Sequence, residues 1–397
     1  MQDHETASAP AATLSALLLL WLAGVALRLT ILAVPPVIPL IHDELRLNAT
    51  QIGILTGLPS MLFAIAAVPG ALLIARIGVR AAMIVGLALN AAGGALRGSV
   101  PDIYWLYAMT IVMGGGVAVM QVALPPAVRA WVPSRVGFAT AVYTNGLLVG
   151  EILPVALMLP LILPLVGNWQ WGFAFWSAPV AAIALLVLAL ARRPLTGAVP
   201  STRRRWWPDW GSLLIWRLGI MLGTVNAMYF ASNAFLPDYL ASNGLREWIS
   251  PALAGLNIGQ LPASFLLLAF ARKLELKIWP FVGCGILCAI ATAGIVFGSG
   301  LIVVTATTLM GFTAAGILVL VLALPPLLAP ADDVHRVTAA MFTISYSCAV
   351  IVPVISGALW DLSGIPAMAF VPIAFCGVLL IILAPAIRHV KGAGAPT

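Results

Sequence analysis

Ala123-Leu124-Pro125-Pro126 recurs two hundred residues later as Ala323-Leu324-Pro325-Pro326. Each copy stands near the end of a long apolar run and leads into a basic stretch, where Arg135-Val136 is echoed by Arg336-Val337. Pro39, near the end of the first apolar run, has a counterpart in Pro237, near the end of the seventh. Chance supplies a single four-residue match readily. A match that keeps register with the apolar runs marks two duplicated halves, an architecture common in membrane transport proteins.

Working outward from that repeat, apolar segments fall at roughly 14–41, 51–75, 81–98, 103–127, 137–160, 170–191, 211–237, 250–271, 278–298, 301–325, 337–360 and 367–387. About twenty apolar residues cross a hydrocarbon core, and lipid offers no partner to an unpaired backbone group, so each segment is expected to be a helix. The composition agrees: of 397 residues, 62% are apolar and only 8% charged, against roughly 25% charged in a soluble domain. The expectation is an all-α membrane protein with twelve transmembrane helices in two pseudo-symmetric six-helix bundles. Its parts are an N-terminal tail (1–13), a first bundle (14–191), a linker (192–209), a second bundle (210–388) and a C-terminal tail (389–397). The tail Met1–Thr13 is polar, lacks a basic cluster and does not read as a cleaved secretory signal.

Orientation follows from Lys and Arg. With both termini cytoplasmic, fifteen basic residues lie in cytoplasmic segments, while the other side holds Arg46 and Arg246, with Arg97 at a helix end. That asymmetry obeys the positive-inside rule, and an odd number of spans would spoil it. It places the chain in a bacterial-type cytoplasmic membrane and accounts for the net charge of +7 without nucleic acid. Most of the thirteen Trp cluster near span ends, as an aromatic belt does.

Charge inside lipid is costly, so intramembrane charges point to function. Arg28 sits about fifteen residues into the first segment, near mid-depth. It reads either as an anion-binding guanidinium or as half of a structural ion pair with Glu151 in the fifth segment. Glu151 correspondingly reads as a proton carrier, its pKa raised by burial, or as a permanent partner of Arg28. Eleven residues before Pro39 stands Arg28, and eleven before Pro237 stands Asn226. The repeat therefore sets a guanidinium and an amide at equivalent positions, a combination suited to a small planar solute bearing oxygens. Gln121 precedes Leu124 by three residues and has Val321 as its counterpart, which marks it as a candidate solute contact. Tyr143, Tyr229 and Tyr346 are candidate cavity residues; Asn145, Asn257 and Gln260 fit helix–helix hydrogen bonding equally well. Arg217, about seven residues into its segment, can snorkel to the interface. Arg97, beside Asp102, reads as an interfacial anchor, and together with Arg76 these form the gating or interfacial candidates.

His4, His42, His335 and His389 all fall in tails or loops. Cys284, Cys288, Cys348 and Cys376 lie in apolar runs and read as small packing residues. No phosphate-binding glycine loop, metal cluster or nucleophile–base set is visible. An enzyme, a metal site, a cofactor and ATP-driven transport are not expected.

Leu27-Arg28-Leu29 with Pro36-Val37-Ile38-Pro39, Gly114-Gly115-Gly116 through Gln121 to Pro125-Pro126, and Asn226 with Phe235-Leu236-Pro237 together resemble the cyanate and 2-nitroimidazole branch of the major facilitator superfamily. The resemblance covers nearly the whole chain. It implies alternating access around a central site and a small anionic or nitro-bearing solute, with Arg28, Gln121 and Asn226 at matching motif positions. Glu151 matches no such position. The superfamily's Gly-x-x-x-Asp-Arg-x-Gly loop departs here: Ala75-Arg76-Ile77-Gly78 has Ala where Asp is usual, which puts the Asp-based latch in doubt. The expected function is that of a monomeric, proton-coupled secondary transporter for a small anionic, nitro- or carboxylate-bearing solute. An exporter of hydrophobic drugs and a non-transporting receptor are the rivals; a channel fits the duplicated halves less well.

Overall fold

A computed structural model describes residues 8–65, 67–191, 208–274, 277–322, 324–329 and 334–385. The 192–209 linker lies almost wholly outside them and the 389–397 tail entirely so; from Ser8 onward the expected N-terminal tail is already helical. All regular secondary structure among the described residues is helical. Nine helical stretches among them are long and apolar enough to cross a bilayer. Two shorter apolar helices, Leu14–Leu29 and Ala49–Ile65, and a pair meeting at Gly259 (Ile249–Ile258 and Gln260–Leu274) complete the twelve spans. The chain is an integral membrane protein.

The chain forms two compact units, 1–37 with 65–202 and 38–64 with 203–397. In the first unit, α1 (Ser8–Leu29) stops well short of the expected end of its span. Pro35 and Pro36 cannot donate backbone hydrogen bonds and bias the residues before them out of the helical region. The chain accordingly leaves the helix after Leu29 and resumes, through a tight turn at Pro35–Val37, as α2 (Ile38–Leu45). α3 (Ala49–Ile65) and α4 (Ala67–Leu96) follow. Gly78 turns the chain sharply inside α4 with φ of 81°, a backbone region that residues with a Cβ rarely enter; the glycine of the departed loop motif thus has a steric reason of its own.

α5 (Ile103–Trp131) passes through Pro125-Pro126 for more than a turn instead of ending there. The second Leu-Pro-Pro copy differs, lying in the short α14 (Leu324–Leu328). The fifth span is α6 (Val136–Leu157), a widened turn at Met158–Ile162 and α7 (Leu163–Val166). The sixth is α8 (Trp169–Leu190), capped by the Asn168 side chain, which accepts from the Trp171 amide at 2.9 Å.

Glycines set how closely α1 and α6 pack. A Cβ on Gly24 would lie 2.1 Å from the Tyr143 carbonyl oxygen, one on Gly146 2.2 Å from that of Trp21, and one on Gly150 2.3 Å from that of Val25. Small residues are the means by which membrane helices reach backbone contact.

The second unit contains α9 (Leu213–Ser242), α10 (Ile249–Ile258), α11 (Gln260–Leu274), α12 (Trp279–Phe297), α13 (Leu301–Leu322), α14, α15 (Val334–Ser363) and α16 (Val371–Leu383). It also holds α2 and most of α3, which chain order gives to the first half. The compact units therefore differ from the expected 14–191 and 210–388 bundles at this segment. The local contacts explain why. A Cβ on Gly53 would sit 2.5 Å from the Pro353 carbonyl oxygen and one on Gly357 2.3 Å from that of Ala49, so α3 and α15 touch backbone to backbone. Asp361, near the end of α15, caps α3 by accepting from the amides of Ala49 (2.9 Å) and Thr50 (2.8 Å) and from the Thr50 hydroxyl (2.5 Å). A carboxylate at a helix N-terminus is favoured by both the free amides and the helix dipole.

Candidate solute site

The close approach of α1 and α6 carries two of the first unit's buried charges to each other. Gly24 and Gly150 lie one turn or less from Arg28 and Glu151 along their helices, so the contact that lets the backbones meet also aligns the side chains. Arg28 Nε lies 3.2 Å from Glu151 Oε1, with the two side chains 11% and 5% exposed. One of the two sequence readings of Arg28 was this pair, and the geometry brings it together. Arg28 stands in the last turn of α1, where the helix dipole favours a cation. Tyr143 and Gln121 are half-buried on α6 and α5.

Behind Arg28 the broken first span is sealed by a polar network. Asn90 donates to the Ala26 carbonyl at 2.8 Å, and its side-chain oxygen accepts from the Thr30 hydroxyl at 2.6 Å. Arg97 donates to the Thr30 carbonyl at 2.7 Å and lies 4.2 Å from the centre of the Phe173 ring. Arg97 is only 1% exposed, so it is not the interfacial anchor expected beside Asp102, which instead caps α5 through the Trp105 amide. The physical reason is the break after Leu29: the freed carbonyls at the end of α1 require a donor, and Arg97 supplies one. Arg76 is exposed just before Gly78, and Arg217 is half-buried near the start of α9.

In the second unit, Asn226 is half-buried on α9 and donates to the Ser345 hydroxyl at 2.8 Å. Tyr229 donates to Asn257 Oδ1 at 2.7 Å; Asn257 Nδ2 lies 3.4 Å from Asn233 Oδ1, and Asn233 donates back to the Tyr229 carbonyl. Tyr346 is buried between the rings of Phe63 and Phe342, at centroid distances of 5.3 and 6.1 Å. Tyr229 and Tyr346 are thus bound into packing and hydrogen bonding. Tyr229→Phe is expected to cost about 1–3 kcal/mol by stranding part of this amide network, read as a lower thermal midpoint.

Sequence reasoning missed one constellation. His42, placed in a loop, lies on α2 with Nδ1 2.5 Å from Asp238 Oδ2 on α9. The two are 196 residues apart, and no local motif joins them. Among the described residues no group of three or more His, Cys, Asp or Glu side chains is arranged to hold a metal.

Twelve helical spans from two duplicated halves, with a guanidinium–carboxylate pair deep in the first unit, define a secondary-transporter architecture. The chain belongs to the Major Facilitator Superfamily, whose family model matches residues 20–353. It is similar to the 2-nitroimidazole transporter of Escherichia coli strain K12, with 27% identity over 360 residues, 90% of this chain and 91% of that one. It is also similar to the cyanate transport protein CynX of the same organism, at 24% identity over 64% of this chain and 66% of the relative. A solved D-xylose–proton symporter shares the fold with a TM-score of 0.76 at 14% identity, covering 96% of this chain and 99% of that one. The resemblance drawn from the Arg28, Gln121 and Asn226 motifs therefore holds.

Proposed function

We propose that the protein moves a small anionic, nitro- or carboxylate-bearing solute by proton-coupled alternating access, with both termini on the cytoplasmic side of a bacterial inner membrane. The observation that carries this reading is the buried Arg28–Glu151 pair at 3.2 Å. Arg28 meets Glu151 through Nε, and a guanidinium has five N–H donors in a planar fork. A solute with two oxygens can engage that fork bidentately. Solute arriving on Arg28 competes with Glu151 for the positive charge; Glu151, losing its partner in a desolvated site, then favours protonation. Solute and proton enter together, and neither leaves cheaply alone. The names of the two E. coli relatives, for nitroimidazole and cyanate, support a small solute of this character. Asn226 and Gln121 are the proposed additional contacts.

The test is counterflow in proteoliposomes with a panel of small carboxylates, nitro compounds and inorganic anions, measured for wild type and Glu151→Gln. The wild type should exchange one class of these solutes and, under net flux, take up protons with them. Glu151→Gln should still exchange solute while net uptake loses its response to a proton gradient. Counterflow of lipophilic neutral compounds alone would overturn the reading in favour of a drug exporter.

A further inference from the structure

His42, on α2, and Asp238, on α9, both belong to the second unit, whereas Arg28 belongs to the first. The His42 side chain is 35% exposed and that of Asp238 only 7%. One partner is therefore reached by solvent, while the other is held in the interior of the second unit. The pair has an unusual chain placement: α2 belongs to the first half by sequence but to the second unit by packing, and His42 fastens it there. Asp361 fastens the same segment a second time through the backbone amides of Ala49, seven residues after His42, and Thr50.

We propose that His42 and Asp238 form a proton-binding latch: one proton held between them keeps the Ile38–Ala64 segment fastened to α9, and loss of that proton releases it. The proposal rests on the alternating-access reading, because a transporter built from two halves must exchange contacts between chain segments of one half and the other during its cycle. A pair that exists only in the fastened state binds its proton more tightly there. By linkage, pH on the exposed side then shifts the equilibrium between fastened and released states, and each release gives up one proton to that side.

The surrounding charges favour this. The hydrogen bond to Asp238 raises the His42 pKa above its ordinary value; partial burial opposes the rise, and the Asp238, Asp43 and Asp361 carboxylates add to it. Glu44 and Arg46 share its stretch of chain, and Arg246 lies 3.4 Å from Asp43, both highly exposed, where an ion pair contributes little. For a histidine whose pKa is raised in the fastened state, the stabilisation is complete below the free histidine value and is lost as pH rises through the fastened-state value. The latch therefore closes in acid and opens toward alkaline pH. The Asp361 cap holds the same segment separately, through the backbone amides of Ala49 and Thr50.

Hydrogen exchange on the full chain in lipid nanodiscs tests this without added solute. Peptides covering 38–50 are compared at about pH 6 and about pH 9, either side of the ordinary histidine pKa, after correction for the intrinsic exchange rate. In wild type their protection should fall several-fold at the higher pH. In His42→Gln it should be low at both values, and in His42→Lys, which stays charged, high at both. Unchanged exchange over 103–131 checks that each variant is folded. Protection independent of pH in wild type, or the same pH step in His42→Gln, would overturn the latch. The solute site stands or falls separately, since no arm of this experiment involves Arg28 or a solute.

Discussion

On the proposed function, Arg28→Ala is expected to remove solute binding while leaving a folded protein. A solute that binds only the native state at a hundredfold excess over its dissociation constant stabilises that state by about 2.7 kcal/mol, and this increment should be present in wild type and absent in the variant. The loss is expected to be complete, because the guanidinium supplies both the charge and the paired donors. Arg28→Lys separates charge from geometry: it keeps the cation but not the fork, and is expected to retain weak binding. Equal thermal shifts for wild type and Arg28→Ala would move the site elsewhere.

Gly150→Leu is expected to be among the most damaging single changes in the first unit. The new Cβ alone would stand 2.3 Å from the Val25 carbonyl oxygen and 3.0 Å from its carbon. Those are backbone atoms of a helix and cannot swing aside as a side chain can. α1 and α6 must separate, and the two neighbouring close contacts at Gly24 and Gly146 open with them. Overpacking in a well-packed interior costs about 1–3 kcal/mol and occasionally more; a backbone clash along a helix pair belongs at or above the upper end. Reduced yield of monodisperse protein and a lowered thermal midpoint would register it. Gly115, around whose built Cβ nothing lies within 4 Å, provides the control: Gly115→Ala should leave the midpoint nearly unchanged.

The spans were legible because lipid imposes one rule on the backbone; the Lys and Arg asymmetry supported their number, and the repeat of Leu-Pro-Pro their pairing. Arg28 and Glu151 were legible as a possible pair because a charge in an apolar run stands out. What escaped notice depended on backbone breaks and long-range contacts. The first span reads as one continuous apolar run, yet Pro35 and Pro36 end α1 at Leu29. That break decides where Arg97 goes, since the freed Thr30 carbonyl draws it inward from the interface its sequence position suggests. The His42–Asp238 contact depends on α2 packing with helices that come almost two hundred residues later. Hydropathy carries no information on which unit a segment joins; the glycine contacts of Gly53 and Gly357 do, and their meaning emerges only when the partner backbone is known.

The placement of Arg28 in the final turn of α1 has a consequence for how long cargo stays. The helix end presents about half a negative charge beside the guanidinium that would hold an anion. That standing charge opposes any anion seated there and, with Glu151 ready to reclaim the guanidinium, keeps residence short. A carrier differs from a receptor in this respect: its throughput is limited by letting go, and a span that stops being helical one residue beyond its only deep arginine is built for release.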